Sequence, residues 1–174
     1  MKKFFLNIFR KAPSSVTAPT LDIYFMKEID SSPYIREECK EILLKHFQNK
    51  INIHNNGNIL TSQEKKKIGL NTRESISSSF SDILTKDGLS LTKPKDTVNL
   101  MYLKATIDHS RDNGFHKAVN AQIRKFTIVT TDDKCCSWCK EQERKVFDTT
   151  ALEQFKDNCK CIPYSKTMIH PVVG

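Results

Sequence analysis

The sequence predicts a mostly helical α+β protein, with a helical N-terminal part followed by a small C-terminal zinc-binding β-hairpin, on three observations. Apolar residues recur at helical spacing through positions 32–50, 71–88 and 96–125. A concentration of β-branched residues appears only late, in KFTIVTTDD at 125–133. Five of the six cysteines lie between positions 135 and 161, as C-C-x-x-C followed by C-x-C. The 174 residues are 38% apolar with only five glycines, so one main domain can bury a core without disulfides.

Three regions are expected: a basic N-terminus and linker at 1–20, a helical region at 21–95, and a zinc-binding domain at 96–174. The opening MKKFFLNIFRKAPSS carries an apolar run at 4–9, interrupted by Asn7 and followed by Arg10 and Lys11. That run is too short for a secretory core, so the chain is expected to remain unexported by the Sec route. Its base and three phenylalanines fit a frayed terminus or, alternatively, a segment resting on an anionic membrane or a partner. No stretch approaches the roughly 20 apolar residues of a membrane span. The expected location is the cytoplasm of a bacterial host, with a virion as the alternative.

In the helical region, Ser32 as N-cap and Pro33 at the first helical position open a predicted helix to about residue 50, with Ile35, Cys39, Ile42, Leu43 and Phe47 on one stripe. Cys39 reads as a core residue there. TSQEKKKIG at 61–69 is a second helix closed by Gly69, its lysine run a solvated face. NTRESISSSFSDILTKDG at 71–88 is a third, with a serine-rich exposed face and Gly88 at its end. The longest helix runs from about Asp96 through the mid-120s, burying Val98, Met101, Tyr102, Ala105, Phe115, Ala118, Val119 and Ile123, with Gly114 as a possible kink. The strand at 125–133 pairs with RKVFD at 144–148, placing C-x-x-C and Trp138 at a hairpin tip, and a short helix or loop at 151–158 returns the chain to Cys159.

In a reducing compartment, clustered cysteines serve metals more often than disulfides. Cys136 and Cys139 form one ligand pair, and Cys159 and Cys161 form a second after nineteen intervening residues. A C-x-x-C turn lets two sulfurs converge, and an extended C-x-C puts both side chains on one face because side chains alternate with period two. Together they make a tetrahedral S₄ site suited to Zn²⁺ rather than to hard cations. Thioredoxin-like redox use of Cys136 and Cys139, which needs a βαβ frame and a helix starting at the motif, and disulfide pairing within the cluster are the alternatives. Cys135 is read as a spectator.

The formal charge of +8 falls to +6 with four thiolates and one Zn²⁺, basic enough for non-specific attraction to DNA. The charge is diffuse, and RDNGFHK with QIRKF is the nearest approach to a basic-aromatic patch. Asp108, His109 and His116 are the one imaginable hydrolytic cluster. There is no H-E-x-x-H, glycine-rich phosphate loop or G-x-S-x-G, and a zinc held by four cysteines has no open position, so no enzymatic activity is expected.

The order LKATIDHSRDNGFHKAVNAQIRK, FTIVTTDDKCCSWC, KVFD, DNCKC and IPYSK resembles the C-terminal domain of the phage Mu F-like minor head, or head morphogenesis, proteins over roughly residues 100–164. The strand-end Asp132 and Asp133 belong to the match. Lys156 stands where the family usually has histidine, Asp157 where it has proline, and Arg144 where it has glycine before the second hairpin strand. Only about a hundred residues precede the match, fewer than such head proteins commonly carry. The resemblance implies a non-catalytic assembly protein docking on capsid, portal or packaged DNA. The alternatives are a stand-alone zinc-binding nucleic-acid or host-interaction module in phage–host conflict and, least supported, a toxin or enzyme.

Overall fold

The computed structural model describes residues 17–131 and 133–173. The apolar run at 4–9 and Asp132 therefore lie outside the described residues. The architecture is α+β and mostly helical, with a small antiparallel sheet near the C-terminus.

Helix α1 (Leu21–Asp30) packs on α2 (Lys40–Phe47) and on the long α6 (Pro94–Asn120). Phe25 from α1 lies against Phe47 at 5.2 Å and Tyr102 at 5.4 Å between ring centroids. With Ile29, Leu43, Ile76, Phe80, Ile83, Val98, Met101 and Ala105 they form the first apolar core. A second core gathers Phe115 and Ala118 from the far half of α6 with Phe126, Leu152, Phe155 and Ile169. One helix thus contributes its N-terminal half to one core and its C-terminal half to the other. Pro94 at its start costs no hydrogen bond, since the first helical N–H groups have no intrahelical partner. The helix continues through Gly114 without interruption.

The helix expected from Ser32 starts later. Arg36 N–H donates to the Ile83 carbonyl and Thr85 N–H to the Tyr34 carbonyl, and Ile35 bridges to Leu84, so this backbone is committed to residues 83–85. A 3₁₀ turn (Glu37–Cys39) then leads into α2. The shift leaves Ile42 41% exposed, off the buried stripe that Leu43 and Phe47 occupy. Cys39 is half-buried and packs at the margin of the first core.

The helix expected at 71–88 is two short ones, α4 (Ser78–Asp82) and α5 (Lys86–Leu89). Serine and threonine act here as caps: Ser77 Oγ accepts from Phe80 N–H and Thr85 Oγ1 from Gly88 N–H. Ser77 and Ser81 are buried, contrary to an exposed serine face, and Ser77 Oγ also donates to the Ile53 carbonyl at 2.6 Å. Gly88 lies within α5 and not at a helix end, at a point where a Cβ would sit 2.5 Å from the Tyr34 carbonyl oxygen.

Helix α3 (Ser62–Lys67) keeps its predicted place, with a capping box from Thr61 and Glu64 and Gly69 in the left-handed region at φ +80°. Its lysine run divides. Lys66 and Lys67 are exposed, but Lys65 is buried, because the segment after α3 folds back and offers the carbonyls of Thr72 and Glu74 to its ammonium at 3.2 and 2.7 Å.

The sheet has the order β2-β1-β3, from β1 (Phe126–Val129), β2 (Val146–Phe147) and β3 (Met168–Pro171). The pairing of β1 with β2 follows the expected hairpin, in register Phe126 with Phe147. Strand β3, which carries no alternation strong enough to read from sequence, pairs antiparallel along the whole of β1, with Ile128 opposite Ile169.

Candidate metal centre

Between β1 and β2 the chain makes a helical excursion, α7 (Ser137–Gln142), where a direct turn into the strand was expected. Cys136 is its extended N-cap residue and Cys139 lies three positions on, so both sulfurs fall on one side of the first turn. The chain leaves α7 through Arg144, whose φ of +61° is left-handed and whose N–H donates to the Ile128 carbonyl at 2.9 Å.

The second pair arrives on α8 (Ala151–Asn158), which buries Ala151, Leu152 and Phe155 against the second core. Phe155 meets the Trp138 ring edge-on at 6.1 Å, joining α8 to α7. Cys159 is the extended residue that ends α8, and Cys161 follows two residues on.

The four Sγ atoms of Cys136, Cys139, Cys159 and Cys161 all lie within 4.8 Å of one another. Cys139 Sγ is 3.5 Å from Cys159 Sγ and 3.9 Å from Cys161 Sγ. A metal–sulfur bond of about 2.3 Å in a tetrahedron gives sulfurs about 3.8 Å apart, so this spacing fits a single four-coordinate ion. A disulfide needs about 2.0 Å, and all six cysteines are free. The four can hold a metal ion; Cys135 stands outside the set.

Backbone donors serve the sulfurs. Cys136 N–H donates to Cys161 Sγ at 3.3 Å and Lys160 N–H to Cys136 Sγ at 3.4 Å. Burial pushes the Cys136 thiol up, but hydrogen bonds from the Cys139 and Lys160 backbone and from neighbouring thiols outweigh it and bring it to about 7. Burial pushes Cys139 and Cys161 upward instead, and each is raised further by adjacent thiols. The cluster thus sets one thiol lowered toward neutrality beside two that are raised.

Helix α7 starts at C-x-x-C, as a redox motif requires, yet the flanking strands are antiparallel and not the parallel pair of a βαβ unit. Among the other singled-out residues, Asp108 pairs with Arg111 at 2.7 Å and shares a cleft with His116, while His109 packs its ring against Tyr24 at 5.5 Å between centroids.

Arg111 and Asp112 are structurally central in a way the sequence reading missed. Arg111 is 3% exposed; its guanidinium donates to the carbonyls of Thr167 and Ser165 at 2.9 and 2.8 Å and lies 4.4 Å over the Phe155 ring. It ties α6 to the segment after C-x-C, and so cannot belong to a basic surface patch. Asp112, equally buried, accepts from Tyr24 Oη and Lys156 Nζ, both at 2.6 Å. Lys156 therefore points to α6 and not to the sulfurs. A signal was present, since Asp108 and Asp112 continue the Met101–Ala105 spacing toward Phe115, and charge on a buried stripe calls for partners.

Among the described residues no helix is long and apolar enough to cross a membrane. The chain matches no family model, no curated protein and no solved structure.

Proposed function

We propose that this chain is a zinc-stabilised, non-catalytic assembly protein of the phage minor head type, docking on capsid, portal or packaged DNA through a surface that its metal centre holds rigid. The observation that carries the reading is the closed set of four sulfurs within 4.8 Å. Thiolates select zinc among the common cellular cations, and four of them leave no position for an activated water. The metal then acts through folding and surface geometry.

Arg144 adds support for the minor head resemblance. It holds the left-handed conformation that glycine adopts without strain, at the position where that family carries glycine. The Lys156 departure is compatible with a four-cysteine centre, because its ammonium is taken by Asp112.

Affinity purification of the full chain from producing cells, with a nuclease-treated sample in parallel, tests the role. Recovery of capsid or portal proteins that survives nuclease is the expected result. Recovery that nuclease abolishes assigns the chain to nucleic-acid binding, and a host protein as the sole partner assigns it to host interaction.

A further inference from the structure

Arg111 donates from Nε to the Thr167 carbonyl at 2.9 Å and from Nη2 to the Ser165 carbonyl at 2.8 Å, while Asp108 accepts from its Nη1 at 2.7 Å. These bonds fix two backbone positions of the segment that follows C-x-C. Both residues are buried. Thr167 N–H donates to Ser165 Oγ at 3.2 Å, so the Ser165 hydroxyl proton is turned away from that nitrogen and is available to another acceptor. Thr167 Oγ1 is buried with no nitrogen or oxygen partner among the described residues. A buried hydroxyl without a partner is costly, and what lies beside it decides how that cost is recovered.

Both hydroxyls face sulfurs of the cluster. Ser165 and Cys161 share the wall of one cavity. Burial raises the Cys161 thiol, and the Cys136 N–H and then the Ser165 hydroxyl oppose that rise. Burial likewise raises the thiol of Cys139, which is fully buried, and there the Thr167 hydroxyl opposes it. A hydrogen bond to an ionised acceptor is roughly twice as strong as one to a neutral group, so each hydroxyl contributes most once a cation has drawn the proton from its sulfur. Four thiolates around one dication keep a net negative charge, which burial makes costly. Backbone N–H groups relieve it at Cys136 and Cys161. At Cys139 the relief falls to Thr167.

We propose that Thr167 and Ser165 are the outer donors of the metal centre, giving their hydroxyl protons to the metal-bound sulfurs of Cys139 and Cys161, and that Arg111 is the positioning residue that holds both in place. The inference rests on the reading of the four sulfurs as a zinc centre. It makes metal retention depend on a residue of α6, far in sequence from every ligand. It also assigns a purpose to a buried arginine whose bonds to two carbonyls would otherwise only anchor the tail.

Competition for Zn²⁺ between the full chain and a chromophoric chelator tests the proposal. Thr167→Val replaces the hydroxyl by a methyl of similar size, and Thr167→Ser keeps it. Thr167→Val should bind Zn²⁺ about 10–100-fold more weakly, the usual loss when a group supporting a ligand is removed, with Thr167→Ser within about threefold of wild type. Ser165→Ala should lose about tenfold, less than Thr167→Val because Cys161 keeps the Cys136 N–H, and Arg111→Lys should lose affinity too. In the Co²⁺-loaded chain the sulfur-to-metal charge-transfer band should move to longer wavelength in Thr167→Val and stay in place in Thr167→Ser, a change that altered packing alone would not produce. Should Thr167→Val fail to fold at saturating Zn²⁺, Ser165→Ala decides. Wild-type affinity in both Thr167→Val and Ser165→Ala overturns the proposal, as does an equal loss in Thr167→Val and Thr167→Ser. A wild-type chain that takes up no Zn²⁺ overturns the metal reading itself, a result distinct from either.

Discussion

The backbone N–H of Cys136 donates to Cys161 Sγ at 3.3 Å, so the first residue of one ligand pair is bonded to the last residue of the other before any cation joins them. The reverse bond, from Lys160 N–H to Cys136 Sγ, closes the exchange. Cys135 takes no place in it. Cys135→Ser should therefore retain full metal stoichiometry, whereas Cys136→Ser should lose it and destabilise the C-terminal third, because structural zinc sites couple on the order of 10 kcal/mol of binding to folding. Metal content and limited proteolysis of the two variants check this. Loss of metal from Cys135→Ser with retention in Cys136→Ser would place the ligand register one residue earlier.

Arg111 joins Asp108, Ser165 and Thr167 through one planar guanidinium. Lysine cannot reproduce three directed bonds from a point charge. Arg111→Lys should cost about 1–3 kcal/mol in urea unfolding, and Arg111→Ala should cost more by leaving the carbonyls and Asp108 without their donor. A cost below about 0.5 kcal/mol for both would mean that the tie between α6 and the tail is dispensable.

How far the sequence reveals this structure depends on where each residue finds its partner. Period-3.6 spacing located α2 and α6, a closing Gly69 marked α3, and the cysteine spacing gathered the four sulfurs, because those signals sit within one element or one short motif. Missing were the contacts made at a distance. The carbonyls of residues 72 and 74 turn Lys65 from a surface charge into a buried one, and pairing with 83–85 replaces the first turns of a helix after Ser32. Strand β3 escaped for the same reason: a four-residue segment containing His170 and Pro171 becomes a strand only because β1 is there to pair with it.

Lys65 owes its burial to the carbonyls of Thr72 and Glu74. Lys65→Met keeps the aliphatic stem but leaves the Thr72 and Glu74 carbonyls without their shared donor, and should cost about 1–3 kcal/mol. Lys66→Met, on an exposed position, should stay within about 0.5 kcal/mol. Equal denaturation midpoints for the two variants would contradict the buried role of Lys65.

Arg144 offers the opposite sign. Its positive φ is a conformation that glycine enters without a Cβ clash, so Arg144→Gly should raise stability by up to about 1 kcal/mol despite the added freedom of the unfolded chain. Thermal melts of the metal-loaded protein measure it, and a loss larger than about 1 kcal/mol would show that the arginine side chain contributes more than its backbone strain costs.

Alkaline pH probes the Tyr24–Asp112 contact. Burial first, then the Asp112 hydrogen bond and charge, push the Tyr24 hydroxyl well above its ordinary value of 10.0. A folded-state value raised above the unfolded one gives stability that is fully present below pH 10 and lost as pH rises toward the folded value. The advantage of the wild-type protein over Tyr24→Phe in urea unfolding should therefore narrow between pH 8.5 and about 11. A widening gap would reverse the assigned direction.

We propose that Cys136, Cys139, Cys159 and Cys161 close on one structural zinc. Elemental analysis of the full chain, produced without added metal and purified under reducing conditions, measures this most directly. About one zinc per chain, released together with loss of C-terminal structure when the four thiols are protonated at acid pH, is the predicted result. Protein that contains no zinc, binds none when it is supplied, and keeps the same fold with four free thiols would contradict it.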